Sequence, residues 1–143
     1  MAFTNHVGSQ RANNFGNKRI GSAQVVSLAT AGNAVVTIPM TASEYIIRRI
    51  TVANPSNSAG GSVPNMSTGN VTILTSGDGN ATNAVANAQT TTNVTAVHTW
   101  QDLTLAASAA TTSYTSGALF VLVGTTVANA QVQIDVYGDV VML

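Results

Sequence analysis

The last dozen residues constrain the fold most, because apolar and polar side chains alternate there. The apolar set is Val132, Ile134, Val136 and Val140. The polar set is Gln131, Gln133, Asp135 and Asp139. A period of two is typical of a β-strand with one face in a core and the other outside. Residues 131–141 are therefore predicted to be a half-buried strand of a sandwich.

Short runs of β-branched residues, divided by turn residues, continue this pattern through the chain. They predict strands at residues 23–29, 34–40, 45–53, 70–75, 94–105 and 117–124, and a weak one within 81–93. Residues 30–33 (Thr-Ala-Gly-Asn) have the composition of a hairpin turn, and residues 54–69 that of a long loop. The fold class expected is an all-β, antiparallel β-sandwich. Eight strands would match a jelly roll, and an immunoglobulin-type sandwich is the competing architecture.

The first 21 residues differ in composition from the rest. They are rich in Asn and Gly, and Arg11, Lys18 and Arg19 are three of the five positive charges of the chain. No apolar periodicity occurs there, which is typical of a segment that orders only against a partner. We predict an extended N-terminal arm at residues 1–21 and one β-sandwich domain at residues 22–143.

Charge and cysteine content exclude several classes of protein. Only 7% of residues are charged, five positive and five negative, so no net field attracts nucleic acid or a membrane surface. No cysteine is present for disulfides or thiolate metal sites, while a hydrophobic share of 45% is sufficient for a core. The first residues lack the features of a secretory signal, so we expect synthesis in a cytoplasm.

Few side chains are suited to catalysis, and we expect no enzyme activity. His98 and Asp102 are a close His–carboxylate pair, but on an extended strand they would lie roughly 13 Å apart. Asp135 and Asp139 share a strand face, as paired acids of a glycosidase could. The chain has one Trp and three Tyr to line a cleft, so these acids are interpreted as solvent-facing charges that discourage edge aggregation.

Two further motifs have a structural interpretation. Asp78-Gly79-Asn80 contains part of a calcium-loop pattern but lacks the remaining ligands, so a Gly-rich turn is expected, with no metal or cofactor. Arg48 and Arg49 would point to opposite faces of a strand, with one paired to Glu44 or Asp102.

Several short strings together resemble those of small virion proteins of tailed bacteriophages. They are Lys18-Arg19-Ile20-Gly21, Tyr45-Ile46-Ile47-Arg48-Arg49-Ile50, Val52-Ala53-Asn54-Pro55, Trp100-Gln101-Asp102-Leu103-Thr104-Leu105 and Val136-Tyr137-Gly138-Asp139-Val140-Val141. The resemblance is to capsid decoration proteins, also called cement or head-stabilising proteins, and it extends over most of the chain from Lys18 onward.

This resemblance implies a β-rich, jelly-roll-like homotrimer on the outer surface of the virion, where it bridges neighbouring major capsid proteins. The contacts expected with the capsid or an adjacent subunit are Phe3, Arg11, Phe15, Lys18 and Arg19. The alternative is a carbohydrate- or receptor-binding module, with Trp100 and Tyr114 as the aromatic glycan contacts.

Overall fold

The computed structural model describes residues 18–38 and 44–141 and contains eight β-strands and one short 3₁₀ helix. The strands are β1 (Lys18–Ser27), β2 (Gly32–Thr37), β3 (Glu44–Asn57), β4 (Asn70–Leu74), β5 (Ala84–Thr90), β6 (Trp100–Asp102), β7 (Ala118–Thr125) and β8 (Ala130–Val141). The helix is η1 (Ala81–Asn83). The predicted all-β antiparallel sandwich is confirmed.

The strands form two four-stranded antiparallel sheets. Sheet A has the order β1-β8-β3-β6, and sheet B has the order β2-β7-β4-β5. Each strand of the first half pairs with its counterpart in the second half: β1 with β8, β2 with β7, β3 with β6 and β4 with β5. This nested order is that of one long hairpin rolled onto itself. Only the β4–β5 connection stays within a sheet, and the others cross between sheets.

The core lies between the sheets and consists of the inward faces of the strands. In β8, Val132, Ile134 and Val136 are at most 1% exposed, as the alternation predicted. They meet side chains from sheet B such as Leu119 and Val121, which are fully buried. Complete removal of these branched side chains from water is the main favourable contribution to stability.

Three predictions of local structure are wrong. The strand expected at residues 94–105 is limited to Trp100–Asp102, because two hydrogen-bonded turns precede it, from the Val94 amide to Thr91 and from the Thr99 amide to Ala96. The hairpin turn expected at residues 30–33 is absent, since the chain bends at residues 29–31 and connects β1 in sheet A to β2 in sheet B. The arm does not extend to residue 21, because β1 begins at Lys18 and residues 18–21 already pair with β8.

Tyr45 is the largest fully buried side chain and joins β3 to the segment before β7. Its hydroxyl donates a 2.8 Å hydrogen bond to the carbonyl of Ser116, and its backbone exchanges two hydrogen bonds with Tyr114. Burial, with a smaller contribution from Tyr114, raises the pKa of the Tyr45 phenol from 10.0 to about 12. The fold therefore stabilises the neutral phenol.

We expect alkaline pH to destabilise the protein through Tyr45. Since the folded pKa is above the unfolded one, the contribution of Tyr45 is complete below pH 10 and is lost as the pH rises toward 12. The slope contributed by one such group is at most about 1.4 kcal/mol per pH unit. Urea unfolding of the wild type and of Tyr45→Phe between pH 8 and pH 12 measures it as the difference between the two curves. Parallel curves for the two proteins would contradict this assignment.

Candidate functional site

A groove of about 310 Å³ crosses the outer face of sheet A. It is lined by Arg49, Thr51, Ala53, Asn54, His98, Thr99, Trp100, Asp102, Asp135 and Tyr137. Three strands and the loop before β6 contribute to it. The volume is at the lower end of the range for small-molecule sites, about 300–1,000 Å³.

The strand register brings the groove residues together in rows across the sheet. One row holds Tyr137 of β8 opposite Arg49 of β3. The next row holds Asp135, Thr51 and Asp102, and the third ends with Ala53 opposite Trp100. Because outward residues recur at every second position, these rows form one continuous surface. The short side chains of Thr51 and Ala53 leave the depression in its middle.

A β-bulge in β3 places both arginines on this outer face. The register with β8 shifts between Ile47 and Arg49, so Arg48 is the additional residue. Arg48 contacts Asp139 and Arg49 stacks on Tyr137, and both partners belong to the outward set of β8. The prediction that the two side chains point to opposite faces is wrong for this reason. The predicted partner Asp102 does lie near Arg49, whose Nε is 3.9 Å from Asp102 Oδ1.

The guanidinium of Arg49 is held by stacking and charge rather than by hydrogen bonds. Its Cζ lies 4.3 Å from the centroid of the Tyr137 ring, a cation–π distance. The 3.9 Å separation from Asp102 is too long for a hydrogen bond. Within the described residues, no group accepts a hydrogen bond from Arg49, and its Nε is buried without a partner. The Arg49 side chain is nevertheless 41% exposed, so its amino groups can reach a ligand.

Asp135 has a structural role in the groove. The residue is 5% exposed, and its carboxylate accepts hydrogen bonds from Ser22 at 2.6 Å and from Gln133 at 2.7 Å. Arg19 lies 3.6 Å away and balances its charge. The interpretation of Asp135 as a solvent-facing charge against edge aggregation is wrong, since β8 lies inside sheet A and this acid is covered.

Both members of the predicted His–carboxylate pair line the groove. His98 has a φ of 64° and lies in the turn before β6, so the extended-strand spacing assumed from the sequence does not apply. Asp102 is 41% exposed on its side chain and accepts a 2.6 Å hydrogen bond from Thr51. In the described part of the chain, no hydrogen bond joins His98 to Asp102.

The two predicted glycan contacts lie at opposite ends of β3. Trp100 is 61% exposed, borders the groove and pairs with Ala53. Tyr114 forms a bridge with Tyr45 at the other end of the strand, with ring centroids 6.0 Å apart. Their partners on β3, Tyr45 and Ala53, are eight positions apart, roughly 25 Å at about 3.3 Å per residue. The two aromatic residues therefore cannot form one stacking platform.

Of the predicted capsid contacts, Phe3, Arg11 and Phe15 lie outside the described residues. Lys18 and Arg19 belong to β1, opposite Gly138 and Tyr137 of β8. Arg19 remains 54% exposed on its side chain while pairing with Asp135.

The Asp78 loop is closed by its own side chains. The Asp78 carboxylate accepts hydrogen bonds from the Ser76 hydroxyl at 2.6 Å and from the Asn80 amide at 3.0 Å. These bonds, the Ser76 one first, lower the pKa of Asp78, and Gly79 has the positive φ of 73° that the turn requires. Within residues 18–38 and 44–141, no group of three or more His, Asp or Glu side chains could hold a metal ion.

Sequence reasoning proposed Trp100 as a glycan contact and noted Asp102 as a partner for His98 or an arginine, but it did not predict the groove or propose Thr51, Asn54 or Tyr137 as site residues. These three residues are brought to the groove by the pairing of β3 with β8 and β6. The sequence of a single strand does not indicate which strands it will pair with.

Among the described residues, no helix has both the length and the hydropathy needed to cross a membrane. No protein-family model, curated protein or solved structure matches this chain.

Proposed function

We propose that this chain is a structural virion protein that decorates a tailed-bacteriophage capsid as a homotrimer and bridges neighbouring major capsid proteins. The observation that carries the proposal is the segregation of charge between the two sheets. The short strings that resemble decoration proteins suggest the partner, and the charge distribution suggests the surface that contacts it.

The nested strand pairing supports a jelly-roll assignment for the sandwich. Jelly rolls have eight strands in two sheets and occur in viral capsid proteins and in lectins. The pairing of β1 with β8 through to β4 with β5 is what rolling a long hairpin produces. Fold alone does not assign a function, so the argument depends on the surfaces.

Nearly all charged residues of the described chain belong to sheet A. They are Lys18, Arg19, Glu44, Arg48, Arg49, Asp102, Asp135 and Asp139. The four strands of sheet B contain no Asp, Glu, Lys or Arg. Asp78, in the β4–β5 connection, is the remaining charge of the described residues. Sheet B therefore presents an uncharged outer face.

An uncharged face suits burial against another protein. Ionised groups cost several kcal/mol each to remove from water unless they are well paired, and the centres of protein interfaces are depleted of charge. On sheet B, Val35 is 50% exposed, and its cross-strand neighbour Phe120 is partly exposed. We assign this face to the major capsid protein, with sheet A facing solvent. The arm residues Phe3, Arg11 and Phe15 remain predicted contacts of the same shell, whereas Lys18 and Arg19 lie on sheet A and are not part of the surface proposed here.

A charge placed on sheet B should weaken capsid binding strongly. We expect Val35→Glu to reduce, by at least about tenfold, the copies bound to expanded heads assembled from the same virus's major capsid protein. The physical reason is that the new carboxylate must be desolvated at the contact. Co-sedimentation measures the bound copies, and cryo-electron microscopy of wild-type decorated heads should place trimers at local threefold positions.

The matched control is Val25→Glu. Val25 is 68% exposed on β1, so the same substitution on sheet A changes the charge equally without touching the proposed contact. Its binding should equal that of the wild type. Wild-type binding by Val35→Glu, or equal loss in both variants, would exclude sheet B as the capsid-facing surface.

A further inference from the structure

We propose that the groove on sheet A binds a neutral saccharide, whose ring stacks on Trp100 and whose hydroxyls bond to Arg49 and Asp102. This proposal does not depend on the capsid role, because the groove and the uncharged face lie on opposite sheets. Three features of the groove carry it: an exposed indole, an adjacent donor and acceptor, and a local charge of zero.

The indole of Trp100 is available for stacking. It is 61% exposed although tryptophan is among the side chains that gain most from burial, and it borders the depression above Ala53 and Thr51. Trp100 and Asp102 are two residues apart on β6, so both side chains lie on the same face of the sheet. A ring lying on the indole would therefore have its edge toward Asp102 and, one row further, Arg49.

Arg49 and Asp102 provide unused hydrogen-bonding capacity at that edge. Arg49 donates no hydrogen bond to any described residue, whereas Asp102 uses one carboxylate oxygen for Thr51 and keeps the other for a ligand. Arg49 Nε lies 3.9 Å from Asp102 Oδ1, so the guanidinium and the carboxylate, with its second oxygen, are neighbours in the groove. A sugar hydroxyl both donates and accepts, so neighbouring hydroxyls on one ring complement such a pair.

The charge balance selects a neutral ligand. Arg49 is near Asp102 and Arg19 is near Asp135, so the cationic and anionic groups around the groove cancel. A phosphate or nucleic-acid ligand would meet two carboxylates and gain no net attraction. An apolar ligand would leave the charged groups without water or partners, which is unfavourable. A polyhydroxylated neutral ring satisfies both the stacking surface and the polar pair.

Trp100 is the sole tryptophan of the chain, so its fluorescence reports binding directly. We expect at least one neutral hexose or N-acetylhexosamine oligosaccharide on a glycan array to retain the wild-type protein. Titration of that oligosaccharide should then change the tryptophan emission saturably. Trp100→Ala should weaken retention by about tenfold or more, as loss of about 1.4 kcal/mol would produce. Arg49→Gln should do the same without altering the stacking surface.

Two control variants keep the test specific. Trp100→Phe retains an aromatic face and should bind within about threefold of the wild type, while Tyr114→Phe, at the far end of β3, should be unchanged. Circular dichroism of each variant verifies that the fold is intact. The proposal is overturned if no neutral glycan changes the Trp100 emission, if Trp100→Ala binds as the wild type does, or if only charged glycans or peptides are retained.

Discussion

Replacing Gly138 with alanine is expected to lower the free energy of unfolding by about 3 kcal/mol, toward the upper end for overpacking. A Cβ at this position would overlap the carbonyl oxygen of Ile46 on β3 and lie 3.2 Å from Ile20 Cδ1 on β1. The carbonyl belongs to the backbone of a paired strand and cannot rotate away as a side chain can. The central strand β8 would have to separate from β3 for the variant to fold.

Gly117→Ala is the matched control for this prediction. No atom lies within 4 Å of the Cβ that the substitution adds at Gly117, so its effect should stay within about 0.5 kcal/mol. Urea unfolding followed by circular dichroism gives both values. Equal stability of the two variants would mean that β8 and β3 approach less closely at Gly138 than the structure indicates.

Gly138 also connects the backbone to the candidate site. It pairs with Ile47, immediately before the bulge that directs Arg48 and Arg49 to the outer face. Its missing side chain allows the close approach of β3 at that point. The position of Arg49 beside Tyr137, and hence one wall of the groove, therefore depends on a glycine that does not itself line the groove.

Three strands rich in β-branched and aliphatic residues were predictable from the sequence. The segments predicted at 70–75, 117–124 and 131–141 correspond closely to β4, β7 and β8. In β7 and over much of β8, buried and more exposed residues alternate because one face meets the core, whereas residues 71–74 of β4 are all buried. In these segments the local sequence favours a strand, and packing against the core stabilises the same conformation.

The connections between strands were not predictable in the same way. The sequence at residues 30–33 has turn composition, and the chain does bend at residues 29–31, but it passes there from one sheet to the other. Turn residues specify a change of chain direction and not which strand will be the next neighbour. Likewise, the apolar side chain of Val94 suggested a strand at this position. Val94 is in fact fully buried at the end of a turn, because the loop there contacts the core.

The candidate site was predictable by residue type only. The exposure of Trp100 and its proximity to Asp102 follow from the short strand β6. The neighbours that complete the groove, Tyr137 and Arg49, come from strands β8 and β3. Their pairing depends on bulge positions that no single strand encodes, because a bulge is defined by the partner strand as well.

Ile134→Ala is expected to destabilise the protein by about 4 kcal/mol, within the range for removing a fully buried aliphatic side chain. Ile134 is 0% exposed and lies on β8, with Ala23 on one side and Val52 on the other. With strands on both sides and a second sheet above, the surroundings cannot collapse to fill the cavity. Urea unfolding at neutral pH measures the loss.

Val140→Ala tests whether burial, rather than strand position, sets this cost. Val140 lies on the same strand and the same face as Ile134 but is only partly buried at the edge of the core. Its truncation removes fewer atoms from a site that water already reaches, so we expect a loss of about 1 kcal/mol. Comparable losses in the free energy of unfolding for Ile134→Ala and Val140→Ala would contradict a core centred on the middle of β8. They would also contradict the assignment of the alternating apolar residues of β8 to that core.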